Sequence, residues 1–496
     1  MTSYRQGSRF DWYTAFTEGP VVRHATALAS EHLSISSSSA NRGVNQTQRR
    51  EKVKEIFIQI ISALYSALHA QGQTNDNNQW ISIPRTRRAY TGKHDGSEKV
   101  FGSHSYTVSI VDWLLRNGML EEQSGNEIKG YSRYKIAGNL KASLEVLGLL
   151  WMPVKPIARE QLIIVRDKDP KTKGSVRVSL VTNSKIGQEL NQLETINECL
   201  RRHCFSLNLS DKNLRQIAAT DDDEDEMNHI NFYQTQIVRI YARGQTNKGG
   251  RFYRGWWQHV PSDIRRHILI DGNKTVEIDY SGMSMRLLYA SEGIELDLNT
   301  DVYNLGYDNW IGEKDPRRPI IKTYVNAVFN DENERYRVSP KDLKFLGLTD
   351  QQQLRERLYN THSKVNLRDR VTSGWGLDSQ YLDSEIALHL MYQFAIDDDP
   401  LLPVHDSFII RKCSELYLQQ LMLDTFERVA KGKTRVDVTP SLPNEGFREK
   451  DSNKDYSKIY VGQEILDTYI TSKDHLGEYS VMNNYLESWK KDYFKE

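Results

Sequence analysis

The stretch "TVEIDYSGMSMRLLYA" (residues 275–290) sets Val276 and Ile278 in alternation with Glu277, closes on Asp279 and passes into a turn of small residues. A period of two is that of a half-buried β-strand, so Asp279 is predicted at a strand end beside a tight turn. A second stretch, "LLPVHDSFII" (401–410), has two short apolar arms around a polar pair. Such a segment folds as strand, turn, strand and puts His405 and Asp406 at the tip of a hairpin. Taken singly, either aspartate suits a strand-end cap. Two carboxylates on adjoining strand ends suit a pair of magnesium ions, for which manganese can substitute, and in-line nucleotidyl transfer.

What lies between and around the two stretches adds a family resemblance. "DYSGMSMRLLYA" resembles motif A of the A-family DNA polymerases, and "VHDSF" resembles motif C in the form found in single-subunit RNA polymerases of phages and mitochondria. Between them "RRPIIKTYVNAVFN" (317–330) is similar to motif B, the fingers helix, and upstream "GGRFYRGWWQHVPSDIRRHILI" is similar to the loop that leads into motif A. Gln380 and Glu385 in "SQYLDSEIALHLM" stand at the spacing of the palm helix before motif C. The likeness spans roughly 245–412.

The resemblance implies a right-hand polymerase of α+β class, with an antiparallel palm sheet and helical fingers and thumb. It implies Asp279 and Asp406 as metal ligands, and Lys322 as the catalytic cation that neutralises developing charge on the triphosphate. Arg318, one helical turn before Lys322 on the same face, would join it on the phosphates, while Ser284, Tyr280 and Asn326 would complete the nucleotide pocket. Arg251, Arg254, Trp256, Gln380 and His405 would contact nucleic acid; the Trp256–Trp257 pair equally suits packing in a domain seam. Ser284 stands where DNA polymerases of this family carry a glutamate that blocks a ribose 2′-hydroxyl, so the pocket should admit ribonucleotides. Asn326 and Asn330 replace the larger side chains of motif B, and Ser407 replaces a glutamate after the motif C aspartate.

The rest of the chain is read from its residues. Of 496 residues, 66 are basic and 66 acidic, so no net field draws the protein to nucleic acid or membrane. Three cysteines build no disulfide framework or zinc pattern, the N-terminus lacks a signal-peptide core, and no apolar run spans a bilayer; a cytoplasmic protein is expected. "DDDEDE" (221–226) reads as a solvated loop, and "GKT" (432–434) follows Glu427 instead of the glycine of a phosphate loop. Residues 52–70 carry an apolar stripe at helical spacing. Further on, "SHSYTVSIVDWLLRNGMLEE" reads as a helix capped at Gly118 and then a strand, followed by a polar hairpin with Lys129 and Arg133. Helix, strand and basic hairpin resemble a winged-helix module; the plainer alternative is an α+β domain whose hairpin happens to be basic. Arg85 and Arg88, close before it, suit phosphate contact.

The expected organisation is a flexible segment 1–50, a winged-helix-like DNA-binding domain 51–184, a helical thumb-like region 185–245, palm 246–300 and 375–450 around fingers 301–374, and a helical extension 451–496. The partners implied are a DNA template, a primer or nascent strand, and nucleoside triphosphates, with no membrane. The expected activity is that of a DNA-dependent RNA polymerase or primase-like polymerase of a phage, plasmid or other mobile element. Two alternatives stand beside it: an A-family-like DNA polymerase, and a non-catalytic DNA-binding initiator on a degenerate palm.

Overall fold

The computed structural model describes residues 8–9, 14–36, 46–69, 80–85, 87, 90, 103–123, 132–168, 175–209, 230–297, 300–331, 335–371, 373–429, 438–440 and 480–493. Arg88, Lys129, the acidic run 221–226, the triplet 432–434 and residues 451–479 lie outside them.

The N-terminal region pairs α1 (Pro20–Ser36) with α2 (Gln46–His69). Val53, Ile56, Phe57, Ile60, Ile61, Leu64 and Leu68 of α2 are all buried, as their spacing requires. The first fifty residues are not a flexible segment throughout. Val21, Ala25, Leu28 and Ala29 of α1 are buried against the same core, because they too recur at helical spacing. Next come β2 (Ile81–Ser82), α3 (His104–Arg116), the antiparallel pair β3 (Leu120–Gln123) and β4 (Arg133–Ile136), and α4 (Gly138–Glu145). With β1 (Ser8–Arg9) these strands form a sheet in the order β1-β2-β4-β3. The expected cap of α3 is present: Gly118 has φ 64°, and the N–H of Met119 returns to the carbonyl of Leu114 at 2.9 Å.

A second sheet corrects the reading of 163–178 as part of the N-terminal module. β5 (Ile163–Lys168) and β6 (Ser175–Val178) pair onto β8 (Val238–Tyr241) and β9 (Gly249–Tyr253) in the order β6-β5-β8-β9. The run Leu162–Val165 is buried throughout. Nor is 185–245 purely helical. α5 (Ser184–Arg202) is followed by β7 (Phe205–Leu207) before β8.

The third sheet holds both quoted stretches. β10 (Ile268–Ile270), β11 (Asn273–Tyr280), β12 (Leu402–Val404) and β13 (Ser407–Arg411) join β7 in the order β12-β13-β11-β10-β7, and β14 (Val438–Pro440) pairs with β11. Every neighbouring pair in this sheet is antiparallel. Between β11 and β12 the described residues form helices only: α6 (Met283–Ser291), α7 (Arg318–Asn330), α8 (Gln351–Thr361), α9 (Trp375–Ile396) and shorter turns. α10 (Glu415–Val429) follows β13, and α11 (Ser480–Tyr493) returns to the core through buried Met482, Tyr485 and Trp489. The chain is thus a mixed α+β protein built round an antiparallel sheet. No helix among the described residues is long and apolar enough to cross a membrane.

α9 is the hub, in contact with α5, α6, α7, α10 and β9. Its junction with the second sheet is ionic. Arg239 of β8 is fully buried and donates from Nη2 to Glu385 Oε1 and to Ser384 Oγ, each at 2.7 Å, and from Nε to the Gly250 carbonyl at 2.9 Å. Glu189 of α5 lies 3.2 Å from Nη1 and accepts from the Tyr241 hydroxyl at 2.7 Å. Truncating one member of such a network leaves buried charge unpaired. Arg239→Ala is therefore expected to lower unfolding free energy by about 3–5 kcal/mol, read by urea denaturation, with Glu385→Gln costing less because its partner keeps Glu189.

Candidate active site

The β11–β13 register determines where the carboxylates meet. Asp279 is paired with Ser407, so Asp406, one residue earlier in the two-residue turn of the β12–β13 hairpin, lies beside it. His405 supports that turn with φ 59°, a left-handed conformation that histidine tolerates better than most residues. Val276, Ile278 and Tyr280 point into the core, and Glu277 and Asp279 share the opposite, half-exposed face.

Electrostatically the pair is unbalanced. Burial, then the charge of Asp406, pushes the Asp279 carboxyl up to about 7, against the opposing pull of Lys322; Glu277 adds to the rise, and the Tyr280 N–H, which donates to the carboxyl, opposes it. Asp279 Oδ1 is buried with no hydrogen-bond donor among the described residues. Glu277 is held elsewhere: Arg265 donates to both its oxygens at 2.9 Å, and the Ser407 hydroxyl donates to Oε1 at 2.6 Å. A bare carboxylate oxygen beside a second carboxylate is the donor set that hard, oxygen-seeking divalent cations take, so Asp279 and Asp406 fit magnesium or manganese.

Lys322 is an exposed residue of α7, has no ion-pair partner among the described residues, and acts on Asp279 by charge. Arg318, on the same helix, is already engaged: Nε donates to Asp301 at 3.1 Å and its guanidinium lies 4.9 Å from the Tyr303 ring centroid. Tyr303 is buried where the charges of Asp406 and Asp279 reach its hydroxyl. Asn326 is exposed on α7. Ser284, in the first turn of α6, donates its hydroxyl to Ser379 Oγ of α9 at 3.1 Å. Gln380 reaches Asn330 at 3.4 Å, and Asn330 packs so closely on Gly376 that a Cβ there would stand 2.1 Å from its Oδ1.

Several expected contacts fall elsewhere. Tyr280 is 2% exposed and donates its hydroxyl to the Met422 carbonyl at 2.7 Å, so its ring is core and not pocket wall; strand alternation turns it away from Asp279. Trp256 and Trp257 are fully buried, Trp256 edge-on to Phe232 at 4.8 Å and Trp257 donating to the Pro403 carbonyl at 3.1 Å. This is the seam packing, and it removes Trp256 as a stacking platform. Arg251 is bound to buried Asp383 of α9, with Nε at 3.0 Å and Nη2 at 2.5 Å from Oδ2. Arg254 is half-buried with φ 92°, and His405 is exposed at the hairpin tip. Arg85 bonds to Asp112, to Glu122 at 3.3 Å and to the Tyr134 hydroxyl at 3.3 Å, which ties α3 to the β3–β4 hairpin and takes it out of phosphate contact. Arg133 is partly buried in β4.

Glu277, Arg265, Tyr303, Ser379 and Asp383 were not marked in the sequence. Strand alternation was a sufficient signal for Glu277; the others reach the site only through tertiary contact. A separate cluster, Cys199, His203 and Asp398, converges within 4.8 Å. Its polar groups are already paired, His203 with Asp271 at 2.6 Å and Asp398 at 3.3 Å, and Asp398 with Arg202 at 2.7 Å. It reads as an ionic tie between α5 and the turn after α9.

No family model matches the chain, and no curated protein does. Among solved structures it is similar to the POL domain of Pol1 from M. smegmatis in complex with DNA primer-template and dNTP, at 14% identity and a TM-score of 0.30, over 52% of this chain and 51% of that one. The chain thus spans about half the length of that structure.

The raised Asp279 carboxyl has a measurable consequence. In the metal-free protein the folded state holds a proton that the unfolded state has released above its ordinary 3.8, so stability falls as pH rises towards 7. Asp279→Asn mimics the protonated form and should melt higher than wild type at pH 8, with the gap closing as pH falls towards 4. Magnesium should raise the wild-type midpoint at pH 8 and leave that of the variant nearly unchanged. Differential scanning calorimetry at several pH values reads both effects.

Proposed function

We propose that the chain is a template-directed nucleotidyltransferase whose catalytic centre is the Asp279–Asp406 pair. The observation that carries this reading is the buried, donor-free Asp279 oxygen beside a second carboxylate. Asp279 and Asp406 would hold a pair of magnesium ions, whose Lewis-acid charge would serve an attacking hydroxyl and a departing pyrophosphate. The chain's own residues do the rest. Asp279 and Asp406 fix the line of attack from adjoining strand ends. Lys322 takes the phosphates and meets the charge that develops on them, since no other partner engages it among the described residues. Arg318, tethered to Asp301, stands one turn away to extend that contact.

Ser284 supports use of ribonucleotides. It is short, lies in the first turn after the Asp279 strand, and offers a hydroxyl that can exchange Ser379 for a sugar oxygen. A DNA-dependent RNA polymerase or primase-like enzyme is the finer reading, with palm, fingers and thumb formed by the third sheet, the helices 318–370 and the helices before the sheet. The rival is an A-family-like DNA polymerase.

For the N-terminal region we infer duplex DNA binding of winged-helix type. The order α2, β2, α3, β3, β4 supports it, as does the outward face of α3, where Ser105, Ser109 and Arg116 are exposed. Arg116→Glu should reduce the salt dependence of DNA binding by about one unit of slope, measured by fluorescence anisotropy over a salt series.

Primer extension tests the catalytic reading. Asp406→Asn or Asp279→Asn should cut metal-dependent incorporation at least about a hundred-fold while the protein stays folded. Wild type should take ribonucleotides at least as well as deoxynucleotides, and Ser284→Glu should suppress ribonucleotide use selectively. Strong deoxynucleotide preference in wild type would favour the DNA polymerase, and absence of all incorporation the non-catalytic initiator.

A further inference from the structure

Cys199 and His203 stand one helical turn apart at the C-terminal end of α5, so both side chains leave the same face. Both are buried, and half-exposed Asp398 reaches them from the turn after α9. The ligand atoms of the three lie within 4.8 Å of one another, and His203 Nε2 is 3.3 Å from Asp398 Oδ1. Around a tetrahedral zinc with bonds of about 2.0–2.3 Å, ligand atoms stand about 3.3–3.8 Å apart. The nitrogen–oxygen edge already has that length, and the sulfur needs to move by only about 1 Å to complete the face.

The outer partners are those that metal ligands take. His203 Nδ1 donates to Asp271 Oδ2 at 2.6 Å, and Asp271, itself buried, is fixed by the Cys204 N–H on Oδ1 at 2.8 Å. That bond orients the ring and leaves Nε2 as the nitrogen turned to Asp398. Arg202 donates to Asp398 Oδ1 from Nη2 at 2.7 Å and from Nε at 3.2 Å, which steadies the carboxylate from the solvent side. We propose that Cys199, His203 and Asp398 form a zinc site, with water as fourth ligand, that clamps the end of α5 to the turn after α9. Without the cation the cluster is the ionic tie described above, in which an imidazole lies between two carboxylates. On binding, Sγ and Nε2 give their protons to solvent, Nδ1 keeps the one it shares with Asp271, and Arg202 stays as an outer partner. A thiolate and an imidazole select zinc over magnesium, whereas Asp279 and Asp406 offer oxygen alone. The inference is therefore independent of the nucleotidyltransferase reading.

Cobalt(II), titrated into the full-length protein under reducing conditions, serves as the spectroscopic probe, because a thiolate bound to it gives a charge-transfer absorption that an all-oxygen site lacks. Wild type should show this band, saturating at one equivalent, and zinc should abolish it by displacement. Cys199→Ser should remove the band, and Cys413→Ser, at an exposed cysteine, should keep it. Asp398→Asn should weaken cobalt binding at least about ten-fold, as should Asp271→Ala, which frees the ring of His203 without touching a ligand. Zinc should also raise the melting midpoint of wild type and leave that of Cys199→Ser unchanged. Asp398→Asn, at a half-exposed position, serves if Cys199→Ser does not fold. Absence of the band in wild type, its survival in Cys199→Ser, or undiminished affinity in Asp398→Asn overturns the site. Primer extension has no bearing on it: a zinc-binding protein that incorporates no nucleotide counts against the nucleotidyltransferase reading alone.

Discussion

The antiparallel register between β11 and β13 is the constraint on which the rest of the molecule depends. It pairs Asp279 with Ser407 and so brings Asp406 alongside, although the whole helical block of α6 to α9 intervenes in the chain. A shift of one residue would turn Ile278 to the open face and Asp279 into the core, and both changes carry a large cost. The buried face of Val276, Ile278, Phe408 and Ile410 therefore fixes the register, and the register fixes the chemistry. Hydrophobic packing on one side of the sheet decides the electrostatics on the other.

That electrostatic pattern is ordered. Around the candidate centre nearly every arginine has an acid of its own: Arg265 with Glu277, Arg318 with Asp301, Arg251 with Asp383. Such pairing fixes each guanidinium in place and spends its charge locally. Burial and the charge of Asp406 oppose ionisation of Asp279, and the charge of Lys322 on α7 favours it. A carboxylate pair whose neighbouring arginines are engaged by other acids remains an anionic point, which suits cation capture far better than a surface of unpaired arginines would.

Much of this was legible in the primary structure because it rests on short-range pattern. The strand ending at Asp279 and the hairpin tip at His405–Asp406 follow from period-two alternation and a polar pair between apolar arms, and both stand as read. The cap at Gly118 and the buried stripe of α2 are equally local. What was illegible required knowledge of the third dimension. Trp256 and Arg85 carry the residue types of nucleic-acid contact, and nothing in their neighbours along the chain reveals Phe232 or Asp112 as partners. Asp383 sits inside an apolar-looking helix whose burial on nearly all sides only tertiary packing shows. Strand β5 pairs in parallel with β8, which follows α5 and β7 in the chain, and sequence pattern does not identify such crossovers.

The carboxylate pair also bears on the choice between catalyst and inert scaffold. A strand-end cap would have its oxygens satisfied by backbone or side-chain donors, as Glu277 is by Arg265 and Ser407. Asp279 Oδ1 is buried without one, next to Asp406, and the work of ionising it there is withdrawn from the stability of the fold. Asparagine at either position would relieve the repulsion at almost no change in shape. A sheet that served only as a structural platform gains nothing from two unneutralised acids on adjoining strand ends. A centre that must bind cations and release them gains the binding energy itself, because the repulsion present in the empty site vanishes on loading. The destabilising feature is therefore the one that a catalytic reading explains and a purely architectural reading does not.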